Sequence, residues 1–206
     1  MNNLEKLTTI FERFPGVGAR QAKRFAFHLL TAPEAETNEL AHLVSNLKQT
    51  VHECHRCHRF FAGQSSTDTL CRICSDPNRN RSSLLVVAAD SDIQPIERAG
   101  VYDGLYFVLG GTVPLLDKNE SNNLRSGALK ALVSESVATD ELTEIILGFS
   151  VNPDGENTGR YVTTLLKELI SEHNLSVTVL GRGLSTGSEL EYADPDTIKN
   201  AFLGRG

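Results

Sequence analysis

Apolar residues recur at helical spacing through the first fifty positions of the chain. Leu4, Leu7, Ile10, Phe11 and Phe14 predict one amphipathic helix, which Pro15-Gly16-Val17-Gly18 breaks. Ala22, Phe25, Ala26 and Leu29 follow at i, i+3, i+4 and i+7 on a second helix. Thr31-Ala32-Pro33-Glu34 has capping-box spacing ahead of a third, with Leu40, Leu43, Val44, Leu47 and Val51 on one face. Three short helices make a module too small to be very stable alone.

The pattern then changes twice. Residues 53–81 are polar and poor in periodic apolar positions, and the run Asp76-Pro77-Asn78-Arg79-Asn80-Arg81-Ser82-Ser83 reads as a linker or hinge. Beyond it, Leu84–Val87, Leu105–Leu109, Ile145–Leu147 and Val177–Leu180 are short continuous apolar runs, the signature of strands buried on both faces of a parallel sheet. Helical stretches at about 92–99, 123–136 and 157–172 lie between them, so this part predicts an α/β domain whose binding groups sit at the C-terminal ends of its strands.

Composition narrows the class. The chain has 206 residues, 40% hydrophobic and 22% charged, which fits a packed core and excludes wholesale disorder. No apolar run approaches the roughly 18 residues of a membrane span, and the first residues lack the pattern of a secretory signal, so a soluble cytoplasmic protein is expected. Charge is uneven: residues 1–53 are neutral, residues 54–81 carry +3 and residues 82–206 carry −9, giving −6 for the chain. An acidic protein still binds nucleic acid where its cations gather on one surface, here expected within the first 81 residues.

The strongest chemical signal is Cys54-x2-Cys57-x13-Cys71-x2-Cys74. Two thiolate pairs on tight turns close a tetrahedral site of four sulfurs, the usual arrangement of structural zinc, and leave no open position for an activated water. Iron–sulfur ligation is the alternative that spacing alone does not remove. His52, His55 and His58 are close by, but four cysteines already satisfy the metal. The second signal is Phe14-Pro15-Gly16-Val17-Gly18 between two helices. Gly16 and Gly18 turn the backbone and leave amides free at a helix N-terminus, while Arg20, Lys23 and Arg24 follow. The set reads as a clamp for a phosphate backbone, against the plainer reading of a helix corner with a solvated basic face. The third is a set of carboxylates after strands: Asp90 and Asp92, then Asp154 and Glu156. They either hold Mg²⁺ for phosphoryl transfer or serve as helix caps and turn residues.

In this order the pieces resemble the RecR family of bacterial recombination mediators over essentially the full chain. Phe14–Gly18 with Arg24–Leu30 is similar to the family's helix-hairpin-helix module, and the four cysteines to its zinc finger. Leu84–Val87 with Ile96-Glu97 and Tyr106–Gly111 resemble its Toprim domain, and Gly183-Leu184, Gly187 and Glu189–Asp194 its C-terminal segment.

The resemblance implies an α+β multidomain chain: a helix-hairpin-helix DNA-binding module (1–53), a four-cysteine zinc finger (54–77), an α/β Toprim domain with a parallel sheet (82–180) and a C-terminal oligomerisation segment (181–206). It further implies a DNA-binding scaffold, not an enzyme, which assembles as a dimer or ring-like tetramer. Such a scaffold binds single- and double-stranded DNA without sequence preference and acts with RecO-like and RecF-like partners to load recombinase at gaps. Arg20 and Arg24, with Lys23 weaker, become the DNA contacts, and Asp154 and Glu156 face the RecO-like partner. The chain departs from the family pattern at Ala88-Ala89, where a glutamate is usual, at Ser150-Val151 in place of Asn-Pro, and at Asp154 in place of glutamate. Catalytic Toprim enzymes use that missing glutamate as acid/base or metal partner, so Ala88 argues against Mg²⁺-dependent nuclease or primase chemistry, the alternative function. A zinc-ribbon interaction module without DNA contact is a third reading.

Overall fold

The computed structural model describes residues 1–63, 68–115, 124–139, 142–181, 195 and 197–199, which divide into two compact units, Met1–Val51 and His52–Gly206. The first unit is helical: α1 (Asn3–Glu12), α2 (Ala19–Thr31) and α3 (Glu34–Thr50). Asn2 starts α1 with a capping box, its side chain accepting the Glu5 N–H at 2.9 Å while Glu5 accepts the Asn2 N–H at 3.0 Å. Phe11 packs edge-on against both Phe14 and Phe25, tying α1 to α2. Only Ala22 and Ala26 are fully buried in this unit.

One expectation for these helices needs correction. Thr31 does not cap α3: Pro33 holds that position, and the Thr31 hydroxyl donates back to the carbonyls of Phe27 and His28. The apolar face of α3 is not buried. Leu40, Leu43, Val44 and Leu47 are all exposed, and α3 joins α1 and α2 in lining an apolar groove of about 660 Å³.

The second unit opens on a two-stranded sheet, β1 (Val51–Glu53) with β2 (Phe60–Ala62), followed by the short helix α4 (Arg72–Ser75). Next come β3 (Asn80–Val87), the 3₁₀ turn η1 (Asp90–Asp92), α5 (Ile93–Ala99), β4 (Gly104–Val108) and α6 (Ser126–Thr139). The unit continues with β5 (Glu144–Gly148), α7 (Pro153–Leu165), α8 (Lys167–His173) and β6 (Ser176–Val179). The four long strands form one parallel sheet in the order β4-β3-β5-β6. Three of the four apolar runs are buried as expected, with Leu84–Val87, Leu105–Leu109, Ile145 and Leu147 all buried, whereas the run Val177–Leu180 lies at the edge strand β6 and leaves Val179 and Leu180 exposed.

The expected linker is shorter than its composition suggests, because Asn80–Ser83 already belong to β3. There the Ser82 carbonyl accepts the Thr143 N–H at 2.9 Å, which extends the ladder into polar sequence. The single helix expected near 157–172 is two, interrupted at Leu166, and it begins earlier, with Asn152 capping α7 through the Gly155 N–H at 2.7 Å. The C-terminal segment at 181–206, with its Gly183-Leu184 and Glu189–Asp194 motifs, lies almost wholly outside the described residues.

Gly155 sits where α7 closes on the loop after β5, and a Cβ there would lie 2.0 Å from the Ser150 carbonyl oxygen. Gly155→Ala should therefore destabilise the protein by about 2–3 kcal/mol, because the obstacle is backbone and cannot rotate away. Urea denaturation of the two proteins measures the difference.

Candidate nucleic-acid interface and metal centre

The hairpin between α1 and α2 is built from its sequence in two steps. Val17 N–H donates to the Phe14 carbonyl at 3.0 Å, closing a turn with Pro15 and Gly16 at its centre. Gly16 has φ +74°, the left-handed value that the third residue of a type II turn requires. Gly18, by contrast, has φ −85°, and a Cβ added there would meet nothing. The turn needs Gly16, whereas nothing in the fold needs Gly18. Its missing side chain matters only to something approaching from outside.

Gly18 is the N-cap of α2 and provides no side-chain cap. Its carbonyl accepts the N–H groups of Gln21 and Ala22, while those of Ala19 and Arg20 have no acceptor among the described residues. Arg20, Lys23 and Arg24 are all exposed, with Arg20 and Arg24 one turn apart and Arg24 donating to Gln21 Oε1 at 3.3 Å. The structure thus brings free amides and three cations to the start of one helix, an arrangement suited to anionic oxygens.

The four cysteines form one buried cluster. Cys54 and Cys57 occupy the turn between β1 and β2, while Cys71 and Cys74 sit at the cap and within the single turn of α4. The Cys54 carbonyl accepts the His58 N–H at 2.9 Å, and His58 takes φ +60° to close this knuckle. All four sulfurs lie within 4.8 Å of one another, and Cys57 Sγ and Cys71 Sγ are 3.7 Å apart. A tetrahedral ion bonded to each sulfur at about 2.3 Å would set them about 3.8 Å apart, so the cluster fits a metal. Among the described residues no other group of three or more such side chains is close enough to share an ion.

Crowding shifts these thiols in opposite directions. Hydrogen bonds from Cys57, Cys71 and Cys74 hold Cys54 far below the ordinary thiol range, whereas Cys57 and Cys74 are pushed well above it, first by their bonds to Cys54 and then by burial. A divalent cation lets all four ionise together. His52, His55 and His58 stay outside the cluster: His58 meets Glu53 Oε1 through Nδ1 at 2.8 Å and packs edge-on against Phe107.

The knuckle is joined to the parallel sheet by contacts that spacing could not reveal. The Cys57 carbonyl accepts the Val108 N–H at 2.9 Å, Phe60 donates its N–H to Asp90 Oδ2 at 2.7 Å, and Arg125 reaches Glu53 at 3.1 Å. The cysteines belong to the same apolar core as Leu84, Phe107 and Ile145. Arg125 and Glu53 come from remote segments, and neither carries a local motif.

The carboxylates expected after the strands are each engaged. Asp90 bonds Phe60 and lies 3.8 Å from Arg59, with burial raising its carboxyl above the ordinary range. Asp92 accepts the Ala89 N–H at 2.8 Å, closing η1. Asp154 accepts the Leu115 N–H at 2.9 Å, and Glu156 pairs with Arg160 at 3.5 Å. Glu156 lines an open groove of about 580 Å³ beside Phe149, Arg160 and Val179, and Asp154 does not. Neither expected structural role is met as stated: Asp92 makes no side-chain cap to α5, and Asp154 and Glu156 lie within α7, whose cap is Asn152.

A hairpin of two helices, a four-thiolate knuckle and a parallel sheet, in that order, define a multi-module protein whose exposed basic helix start suits anionic ligands. Family models match the helical hairpin, the parallel sheet and the C-terminal segment. The helix-hairpin-helix model of RecR matches residues 4–48, a Toprim-domain model residues 82–181, and the RecR C-terminal model residues 183–205. Recombination protein RecR of Rubrobacter xylanophilus is 38% identical over 203 residues, covering 98% of this chain and 96% of its own length. The proteins of the same name from Bifidobacterium longum and Lactobacillus helveticus are 37% and 34% identical, covering 98% and 97% of this chain and 94% of their own lengths. The chain belongs to the RecR family of recombination proteins.

Replacing one ligand should release the ion and loosen the knuckle. Cys74→Ser is expected to bind less than one metal ion per chain and to lose on the order of 4 kcal/mol, which lowers Tm by about 10 °C. Elemental analysis of the purified variant and a thermal melt check both.

Proposed function

We propose that the chain is a DNA-binding mediator of recombinational repair, a scaffold without catalytic activity of its own. It acts with RecO-like and RecF-like proteins to load recombinase onto single-stranded DNA at gaps. The observation that carries this reading is the start of α2, where two unbonded amides, an absent side chain at Gly18 and the cations Arg20, Lys23 and Arg24 meet. Groups of this kind hold phosphates and sugars without reading bases, so single- and double-stranded DNA are both ligands.

One hairpin offers few phosphate contacts, and strong binding then comes from several hairpins on one assembly. The apolar groove of the first unit, with Leu30 and Val44 each 65% and Phe14 51% exposed, supports burial against a second copy in a dimer or ring-like tetramer. The ion is zinc, one per chain, because four thiolates and a closed coordination shell suit a structural role. Asp90, Asp92 and Asp154 each accept a backbone N–H through one oxygen, which ties them into the fold, and we assign them no Mg²⁺. Exposed Glu156, with Asp154 behind it, faces the RecO-like partner across the groove beside β6. Among the described residues no helix is long and apolar enough to cross a membrane, and the place of action is the bacterial cytoplasm at the nucleoid.

Arg20→Ala combined with Arg24→Ala should weaken binding to every DNA sequence by about tenfold and flatten the salt slope by about one to two. Filter binding at several salt concentrations reads both, and unchanged affinity would sink the assignment. The two glycines should separate. Gly16→Ala costs about 1–2 kcal/mol of stability through its positive φ, whereas Gly18→Ala, with φ −85° and open space for the added methyl, costs less than about 1 kcal/mol, from the weaker N-cap, and still reduces DNA affinity. Thermal melts paired with binding isotherms distinguish them.

A further inference from the structure

A second group of arginines lies in the other unit, two of them within the span of the cysteine motif and one on α5. Where the knuckle meets η1 and α5, a cleft of about 470 Å³ is lined by Arg59, Arg72, Asp90, Gln94, Glu97 and Arg98. Arg59 is only 19% exposed, and its Nε and Nη1 are buried without a hydrogen-bond partner. The nearest acceptor, Asp90 Oδ1, stands 3.8 Å from Nε, too far for a hydrogen bond, while Oδ2 is taken by Phe60 N–H. Glu97 feels the charge of Arg72 but is chiefly engaged elsewhere. Arg79, which does not line the cleft, grips both its oxygens in a fork, and the Tyr106 hydroxyl donates to one of them. Arg72 and Arg98 form no hydrogen bond or ion pair with a carboxylate among the described residues.

Three guanidiniums thus face one opening against two carboxylates, half-buried Asp90 and Glu97, of which Glu97 is already gripped by Arg79. A buried guanidinium with unmade bonds demands acceptors. A tetrahedral anion offers enough oxygens to serve three forks at once, where a planar carboxylate serves one. The cleft also draws two of its arginines from residues 54–81, the one net-positive segment of the chain.

We propose that this cleft binds a phosphate group, and that in the nucleic-acid complex the group is a backbone phosphate, giving the second unit a DNA contact separate from α2. The backbone assignment rests on the DNA-binding reading above, whereas the phosphate site rests on the arginines alone.

Arg72 and Arg98 are exposed, so Arg72→Gln with Arg98→Gln in the full chain should keep the fold, checked by metal content and a melt. With a labelled single-stranded oligonucleotide, fluorescence anisotropy across salt should report about 3–10-fold weaker binding and a slope reduced by about one, additive with the α2 substitutions. In parallel, inorganic phosphate should shift the Arg59 Nε–H signal in NMR spectra of the parent protein and leave the variant unmoved. Both results together support the proposal. A phosphate shift with unchanged DNA binding overturns the backbone assignment and makes free phosphate or a nucleotide the ligand. No shift and unchanged DNA binding overturn the site. If the parent protein itself ignores DNA, the mediator reading fails and the phosphate titration still decides the cleft. Should the double variant lose its metal, Arg98→Gln alone, on α5 and away from the cysteine loop, carries the same measurements.

Discussion

Four sulfurs confined within 4.8 Å of one another are the constraint on which the second unit turns. Thiols so crowded cannot all carry charge unless a cation sits among them, and the polar stretch around them has little apolar surface to hold it in place otherwise. The knuckle they fix hands its shape to the sheet. Cys57 accepts from the end of β4, Phe60 donates to Asp90 just beyond β3, and Glu53 holds Arg125 at the head of α6. The metal centre is therefore a buttress for the C-terminal edge of the Toprim sheet, and it also aims Arg59 into its cleft.

That edge is where a parallel sheet of this topology normally keeps its chemistry. Here the adjoining ends of β3 and β5 lead into Ala88-Ala89 and Ser150-Val151, and the carboxylates nearby have become fasteners. Asp90 fastens the knuckle, Asp92 closes η1, and Asp154 holds the loop after β4 through Leu115 N–H. Three of the acidic residues at this edge thus each tie down a backbone N–H of a neighbouring segment.

Much of this was legible in the residues. Cysteine spacing specified the ligands because a tetrahedral thiolate site tolerates few loop lengths, and continuous apolar runs specified the strands because both faces are covered. Pro15 and Gly16 announced a turn whose dihedral angle only glycine takes readily. What stayed hidden depends on contacts between distant segments. Asn80–Ser83 read as linker, since a strand can form on backbone bonds to Thr143 and Asp103 without apolar side chains. The apolar stripe on α3 showed which residues share a face, and periodicity does not say whether anything covers it. Asp90 bears on Phe60 and Arg59 across about thirty positions, and Arg59, Arg72 and Arg98 meet only because η1 and α5 fold against the knuckle.

The near-absence of a sealed interior in the first unit has a thermodynamic consequence. With Ala22 and Ala26 as its fully buried side chains, α1–α3 gain little from solvent exclusion, whereas the sheet unit gathers two dozen buried residues around its metal. The two units should open at different free energies, the helical one in small, frequent excursions and the sheet unit only with global unfolding. A ligand on α2 then does more than occupy a surface. It draws the helical unit toward its closed form by mass action, so part of the intrinsic affinity is consumed in ordering the element that recognises it.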